Sequence, residues 1–452
     1  MIFPLGSQVK YTLHNTQSQY INMQNQSEYS RDFLYICVKY AYIYSLSLNM
    51  QGLFLHEREK QDIMRTVQKQ KHTGDRLSME NRTDNSYLAV DLGTLRSNVR
   101  AILSTLGENV QLIPVLKDDA YGLGAIPVAQ TLCEFPEIQC FAVAHVSEGI
   151  LLRSAGIDRE ILVMGSSLPF QIPAALQADL TLTCGRPGFL RELSAVAKER
   201  HTRAKFQLKI DIGLHRIGIE PEHLSSWIRE YRECEEDLLL KGVFSHFSEA
   251  DSLHKDEAEF QRFQSAVAVL EENGIPVPLK HVAASYSSEH FPQFSLDAVR
   301  CGRRLYMDRP TDPTGMIREV ASWRGYLTAV SRRKKGECIG YSGKVQLKED
   351  SMVATVSVGY GDGLNQDLFG VGAPVLVGGI RCPLLACCMD QCMVDVTTVD
   401  CKAGDEVTFF GYDGKGAFLS SQEIASLIND DEGCGLTSAL SPRVARVYEC
   451  GN

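Results

Sequence analysis

Val115-Leu116-Lys117-Asp118-Asp119-Ala120-Tyr121-Gly122-Leu123-Gly124 carries the end of one element, a turn and the approach to another. Gln111 to Leu116 is a short, mostly apolar run, the pattern of a buried strand. Lys117 stands at its carboxyl end. A polar, glycine-punctuated turn follows, then Ala125, Ile126, Val128, Ala129 and Leu132 at helical spacing. A lysine at the end of a buried strand is open to partial desolvation. That lowers its pKa and frees the amine to condense with a carbonyl. A solvated loop lysine fits the same local pattern.

The strand–turn–helix unit repeats outward from this stretch. Candidate strands are Leu112–Leu116, Cys140–Ala144, Ile161–Met164, Leu180–Thr183, Phe206–Ile210, Leu240–Ser245, Leu279–Ala283 and Asp297–Arg300, with helical stretches such as Pro187–Ala197 and Asp256–Glu272 between them. Eight apolar strands alternating with helices predict a parallel (β/α)8 TIM barrel. In that architecture the carboxyl ends of the strands carry the chemistry, and Lys117, Asp211, His246, Ser285 and Arg300 all fall there. Ahead of the barrel, Tyr87–Val90 reads as a strand. Asp91 is placed to cap a helix whose Leu95, Val99, Ile102, Leu103 and Leu106 share a face.

The pattern changes near Gly315. Short strands separated by turns run from Arg318 to Gly411 without helices, and a late helix starts at a capping box, Ser420 to Glu423. This predicts a second, mostly antiparallel β domain. The expected division is 1–84, an extension; 85–315, the barrel; and 316–452, the β domain. Residues 1–84 are rich in Gln, Asn, Ser and Tyr and show no strand–helix alternation. They read as a disordered extension, or as sequence ahead of a start of translation at Met79. The apolar run Phe33–Leu48 contains Lys39 and is shorter than the ~20 residues a membrane-spanning helix needs.

Composition narrows the partners. The chain has 452 residues, 44% hydrophobic and 23% charged, with a formal net charge of −10. That sign disfavours nucleic acid, whose phosphates call for a basic surface. The 14 cysteines are scattered rather than framed as in a small secreted domain, which points to a reducing, cytoplasmic setting. Cys382, Cys387, Cys388 and Cys392 cluster without a zinc-type spacing and read as small buried residues, with no metal.

The opening decapeptide resembles the lysine-tyrosine-glycine signature of the alanine racemase family. Lys117, Ala120, Tyr121, Gly122 and Gly124 match, while Asp118-Asp119 and Leu123 depart from it. Further stretches are similar to that family's motifs, in order. They are Lys209-Ile210-Asp211-Ile212-Gly213-Leu214-His215-Arg216-Ile217-Gly218, Gly242-Val243-Phe244-Ser245-His246-Phe247, His281-Val282-Ala283-Ala284-Ser285, and Val299-Arg300-Cys301-Gly302 with Leu305-Tyr306. Gly359-Tyr360-Gly361-Asp362-Gly363 and Cys388-Met389-Asp390-Gln391 complete the series.

The resemblance implies an enzyme that uses pyridoxal 5'-phosphate. Lys117 would hold the cofactor as an aldimine and act as one base. Tyr121, Ser285, Gly302 and the amide of Arg303 would receive its phosphate. Arg300 would donate to the pyridine nitrogen and His246 would support Arg300. Arg216 would sit beside the cofactor phenolate, paired in many relatives with a carbamylated lysine that matches Lys209. Met389 and Asp390 would help hold the substrate carboxylate. The second base would be Tyr341, contributed across a homodimer, its solution pKa near 10 tuned by neighbours.

The implied reaction is interconversion of L- and D-alanine by two-base proton transfer, as in D-alanine biosynthesis. Pro442 and Ala386 replace a tyrosine and an arginine common in the family, which leaves open a serine or broader-specificity racemase. A decarboxylase of the same fold is a more distant alternative. Such enzymes set an acidic residue against the ring nitrogen, where this chain has Arg300. A non-catalytic cofactor-binding protein would lack the β domain and Tyr341.

Overall fold

The computed structural model describes residues 83–249, 252–307, 312, 314–343, 345–430 and 433–450. The expectations for residues 1–82 lie outside this set. Among the described residues, eight parallel strands form the first layer: β2 Gln111–Pro114, β3 Cys140–Val143, β4 Glu160–Ser166, β5 Thr181–Cys184, β6 Ala204–Lys209, β7 Leu238–Phe244, β8 Lys280–His281 and β9 Ala298–Cys301. Strands β3 to β8 run side by side in sequence order, and β2 pairs with β9. Two seams close the ring. Val115 bridges Ala142, and the Leu116 amide donates to Ala142 O at 2.8 Å. On the other side the amides of Asp297 and Arg300 donate to Lys280 O (3.0 Å) and Ala283 O (3.1 Å).

The strands are continuous apolar runs because both faces are covered, by the barrel interior and by helices. Phe141, Leu162, Leu182, Phe206, Leu208, Val243 and Val299 are all but fully buried. Strand β8 is shorter than the sequence suggested. The Val282 and His281 carbonyls just beyond or within it accept hydrogen bonds from the Arg300 guanidinium, which takes backbone groups that a longer ladder would use.

The second layer is a nine-stranded sheet. Its order is β18 Phe418–Leu419, β17 Glu406–Tyr412, β14 Pro374–Val377, β15 Ile380–Cys387, β16 Cys392–Asp395, β13 Ser351–Val356, β10 Ala321–Arg333, β1 Ser86–Asp91 and β19 Ala445–Glu449. Every pairing is antiparallel except β1 with β19. Strand β10 is long and bulged, and it also pairs with β17, so the sheet curls back on itself. A small hairpin, β11 Cys338–Ile339 with β12 Val345–Gln346, projects separately.

Three details depart from the sequence expectation. The strand Ser86–Asp91 was grouped with the barrel, but it pairs with β10 and β19 in the second sheet. Chain order gave no sign of that partner. Asp91 nevertheless caps the next helix, Leu92–Thr105, accepting from the amides of Gly93 (2.8 Å) and Thr94 (3.0 Å). That helix carries the chain from one layer to the other. The stretch read as helix-free contains a short α-helix, Asp367–Gly370, and 3-10 turns at Tyr341–Gly343 and Tyr360–Asp362. The helix after Ser420 forms, Ser421–Ser426, without a side-chain cap bond from Ser420, and Glu423 pairs with Arg381 instead.

No helix among the described residues is long and apolar enough to cross a membrane. No group of three His, Cys, Asp or Glu side chains among them is arranged to hold a metal ion.

Candidate active site

The carboxyl end of the barrel is organised around one buried guanidinium. Arg300, in β9, is 4% exposed. Its Nη2 donates to the carbonyls of Ser245 (2.7 Å) and Val282 (2.9 Å), and its Nη1 to that of His281 (3.2 Å). Nη1 also lies 2.7 Å from His281 Nδ1, and Nη2 lies 3.2 Å from His246 Nδ1. A guanidinium has no acceptor, so both imidazoles accept here and their ring protons sit on Nε2. His281 Nε2 then donates to Gln207 Oε1 at 2.7 Å.

All these partners are neutral, and no carboxylate among the described residues pairs with Arg300. Burial lowers its pKa to about 10, which still leaves it charged at neutral pH. The histidines give way instead. Burial, then the charges of Arg300, Lys209, Arg216 and Lys117, pushes His246 down to about 3. Burial, then Arg300 and Lys209, pushes fully buried His281 well below its ordinary value.

This has a sign. His281 is neutral when folded and protonates below about pH 6.5 when unfolded, so the unfolded state binds the extra proton. Its contribution to stability is present above that pH and is lost below it, at ~1.4 kcal/mol per pH unit. Denaturant midpoints measured down to about pH 5 should fall less steeply for His281→Gln than for the parent. Equal slopes would mean that His281 is charged in the folded protein.

The desolvated lysine of this rim is Lys209 rather than Lys117. Lys209, the last residue of β6, is 3% exposed, and its pKa falls to about 8 through burial, then the charges of Arg300 and Arg216. Its Nζ lies 5.5 Å from the centre of the Phe244 ring, which also faces Arg300 Cζ at 5.6 Å. Lys117 is exposed at the rim. The reason is the backbone after it.

Asp118, Asp119, Ala120 and Tyr121 have φ of 55°, 53°, 55° and 58°, a turn of left-handed helix ending at Gly122. Non-glycine residues resist this conformation, so four in a row cost on the order of 4–8 kcal/mol. The turn lifts Lys117 out of the barrel and places its Nζ 5.6 Å from the Tyr121 ring centre.

Tyr121 reaches the start of the helix after β9. A Cβ built on Gly302 would fall 2.2 Å from the Tyr121 hydroxyl, so only glycine admits the phenol there. Ser285 Oγ accepts from the Gly302 amide at 3.2 Å and the Arg304 amide at 3.5 Å. Arg303 is partly buried beside them. The amides that donate to Ser285 Oγ among the described bonds are those of Gly302 and Arg304. This cluster of amides, a hydroxyl and a phenol around a glycine is the donor set that a phosphate monoester requires.

The remaining candidates are exposed. Arg216 is exposed on the loop after β6, near enough for its charge to act on Lys209. Tyr341, Met389 and Asp390 belong to the β domain. Tyr341 is 76% exposed and Met389 58%, and Asp390 is exposed too. Tyr341 forms no hydrogen bond or ring contact with another described residue. The two neighbourhoods touch, because a Cβ on Gly340 would lie 2.6 Å from Ala386 Cβ, in the strand that leads to Met389. One chain therefore gathers Lys117, Tyr121, His246, Ser285, Arg300 and Gly302 at its barrel mouth. Tyr341, Met389 and Asp390 are exposed on the β domain.

Two family models match in tandem: alanine racemase, N-terminal domain, over residues 90–310, and alanine racemase, C-terminal domain, over 320–448. The chain belongs to the alanine racemase family. It is 33% identical over 373 residues to the alanine racemase of Halothermothrix orenii, covering 80% of this chain and 97% of that one. It is 34% identical over 371 residues to alanine racemase 2 of Caldanaerobacter subterraneus subsp. tengcongensis, covering 79% and 93%. Among solved structures it resembles alanine racemase from Clostridium difficile 630, with TM-score 0.75, 29% identity and 81% and 96% of the two chains covered. It also resembles the alanine racemase from Bacillus anthracis with bound L-Ala-P, with TM-score 0.75, 28% identity and 81% and 95% covered.

Two members of the arginine cage in this alanine racemase fold, His281 and Gln207, had no role from the sequence, where the resemblance implied support of Arg300 by His246. The closer contact, 2.7 Å against 3.2 Å, is with His281. A polar glutamine inside an otherwise apolar strand, Phe206-Gln207-Leu208, was the available signal.

Proposed function

We propose that this chain racemises alanine with pyridoxal 5'-phosphate bound at the barrel mouth. The observation that carries this is the pairing, on one rim, of Lys117 with a phosphate-type cradle and a buried, carboxylate-free Arg300. When bound, the cofactor withdraws electron density from the amino acid's α-carbon, so that its proton becomes removable.

The protein does the rest. Lys117 anchors the cofactor and exchanges a proton at its Nζ on one face of the α-carbon. Tyr341 exchanges a proton at its hydroxyl oxygen on the other. The amides of Gly302 and Arg304, Ser285 Oγ and the Tyr121 hydroxyl hold the phosphate. Among the described residues the hydrogen bonds of Arg300 all come from its Nη atoms, so Nε would be the atom to donate to the ring nitrogen. A charged arginine donates without transferring its proton, so the ring stays a modest electron sink and racemisation is favoured over side reactions. Met389 and Asp390 border the substrate carboxylate.

Tyr341 stands exposed on the β domain of one chain, and a second copy in a homodimer completes its site. Lys209, with its pKa lowered to about 8, reaches the uncharged amine that carbon dioxide requires far more readily than an ordinary lysine. A carbamate there would place a negative charge among Arg216 and Arg300. Carbon-13 NMR of protein in labelled bicarbonate should show a carbamate resonance that is absent in Lys209→Ala. An identical spectrum for both would remove this role.

The second reading is a serine or broader-specificity racemase. It is favoured by exposed Pro442 and by Ala386 packed under Gly340 beside Tyr341. Chiral analysis after incubation with L-alanine, L-serine and L-lysine decides between them. D-alanine formed fastest is the expected result. D-serine formed faster supports the second reading, and release of an amine with carbon dioxide would make the chain a decarboxylase.

A further inference from the structure

The left-handed turn that presents Lys117 and Tyr121 is unfavourable for the residues that make it, so something must hold it. Inside the turn, Ala120 N donates to Leu116 O (3.0 Å), Gly122 N to Asp118 O (2.8 Å) and Gly124 N to Asp119 O (2.8 Å). Asp119 Oδ1 accepts from the Ala125 amide at 2.8 Å. These bonds shape the turn but do not fix it to the barrel.

Two side chains from outside do. Glu148, in the helix Val146–Ser154 after β3, spans two strand ends with one carboxylate. Its Oε1 accepts from the Asp118 amide at 2.6 Å. Its Oε2 accepts from the amides of Ala144 (2.7 Å) and His145 (2.9 Å). On the far side Arg446, in β19 of the second sheet, donates from Nε to Gly122 O at 3.0 Å. Its other nitrogens donate to the carbonyls of Leu440 (3.1 Å), Ser441 (2.9 Å) and Val444 (2.7 Å). Asp119 also carries charge that favours the Arg446 cation. The fit around Gly122 is close, since a Cβ there would lie 2.2 Å from Thr437 O.

We infer that Glu148 and Arg446 are positioning residues: they clamp the Asp118–Tyr121 turn from both sides and so set where the Lys117 amine and the Tyr121 phenol stand. Neither touches the reacting atoms. This rests on Lys117 carrying the cofactor, as proposed above. The clamp predicts an interplay that a plain stabilising contact would not show. If Glu148 holds a strained turn, then removing the strain makes it less necessary. Asp118 is exposed, and glycine adopts its φ of 55° freely.

The test compares Glu148→Gln, Arg446→Lys and the double variant Glu148→Gln/Asp118→Gly with the parent, each saturated with pyridoxal phosphate. A glutamine offers one acceptor where the carboxylate offers two, and a lysine cannot span four carbonyls. Turnover per borohydride-labelled Lys117 should fall on the order of 100-fold in the single variants, because small misplacements of a reacting group carry that cost. KM for alanine should stay within about threefold, as expected when substrate binding is untouched. In the cofactor-free proteins, hydrogen exchange should rise in the 117–124 peptide and stay at parental values elsewhere. Adding Asp118→Gly should restore much of the lost turnover.

Unchanged turnover per labelled site, exchange raised throughout the protein, or no recovery with Asp118→Gly would each overturn the clamp. If Glu148→Gln does not fold, Arg446→Lys and Arg446→Lys/Asp118→Gly decide by the same measurements. A parent labelled on another lysine would defeat the functional proposal instead, and exchange in the cofactor-free proteins would still report on the clamp.

Discussion

Mixed dimers assembled from Lys117→Ala and Tyr341→Phe chains regain the activity that each variant lacks. Each substitution by itself should lower racemisation on the order of 1000-fold, within the range by which a positioned acid–base group speeds proton transfer. The structure gives the reason for recovery. Tyr341 is 76% exposed and Met389 58%, both on the β domain, and no side-chain hydrogen bond or ring contact joins Tyr341 to another described residue. A tyrosine that open has a phenol suited to water, not to a buried α-carbon. A twofold dimer that covers it would build two sites, each with Lys117 from one chain and Tyr341 from the other. A mixed dimer then holds one site lacking both groups and one intact site, so its activity approaches half the parental value. If both groups came from one chain, every site would lack one of them. Verified mixed dimers without activity would therefore rule out the shared site and the role of Tyr341.

Arg300→Glu should disturb both the fold and the chemistry. The carbonyls of Ser245, His281 and Val282 lose their donor and meet an acceptor-only carboxylate. Breaking a buried charged network in this way costs about 3–5 kcal/mol, read as a fall in denaturant midpoint. In the folded fraction, a carboxylate at the ring nitrogen stabilises the protonated ring and deepens the electron sink. The ratio of transamination to racemisation, measured as pyruvate against D-alanine, should rise. Arg300→Lys keeps the charge and should leave that ratio low while losing part of the stability. An unchanged product ratio in Arg300→Glu would place Arg300 away from the ring nitrogen.

The barrel was legible because its strands are buried on both faces and stand out as apolar runs such as Phe206–Ile210 and Leu240–Ser245. The rim residues were legible because they follow those runs directly. What escaped depends on partners far away in the chain. Strand Ser86–Asp91 pairs with residues more than 200 positions on, which no local pattern encodes. The left-handed turn was read only as a polar turn. Asp118-Asp119 tolerates positive φ, but Ala120 and Tyr121 adopt it between residues bonded to Glu148 and Arg446, distant in the chain. The strand end left both a desolvated and a solvated lysine open at position 117; the turn places Lys117 exposed at the rim, and the desolvated amine is Lys209.

That contrast of environments sharpens the choice of measurement. Lys209 is the buried lysine with a lowered pKa, and Lys117 is the exposed one. Borohydride reduction of the protein loaded with pyridoxal phosphate, followed by peptide mapping, reports directly which amine holds the cofactor. The label is expected on Lys117, within the peptide that continues through Tyr121 to Gly124. A label on Lys209, or on any other lysine, would contradict the assignment on which the proposed racemase mechanism stands.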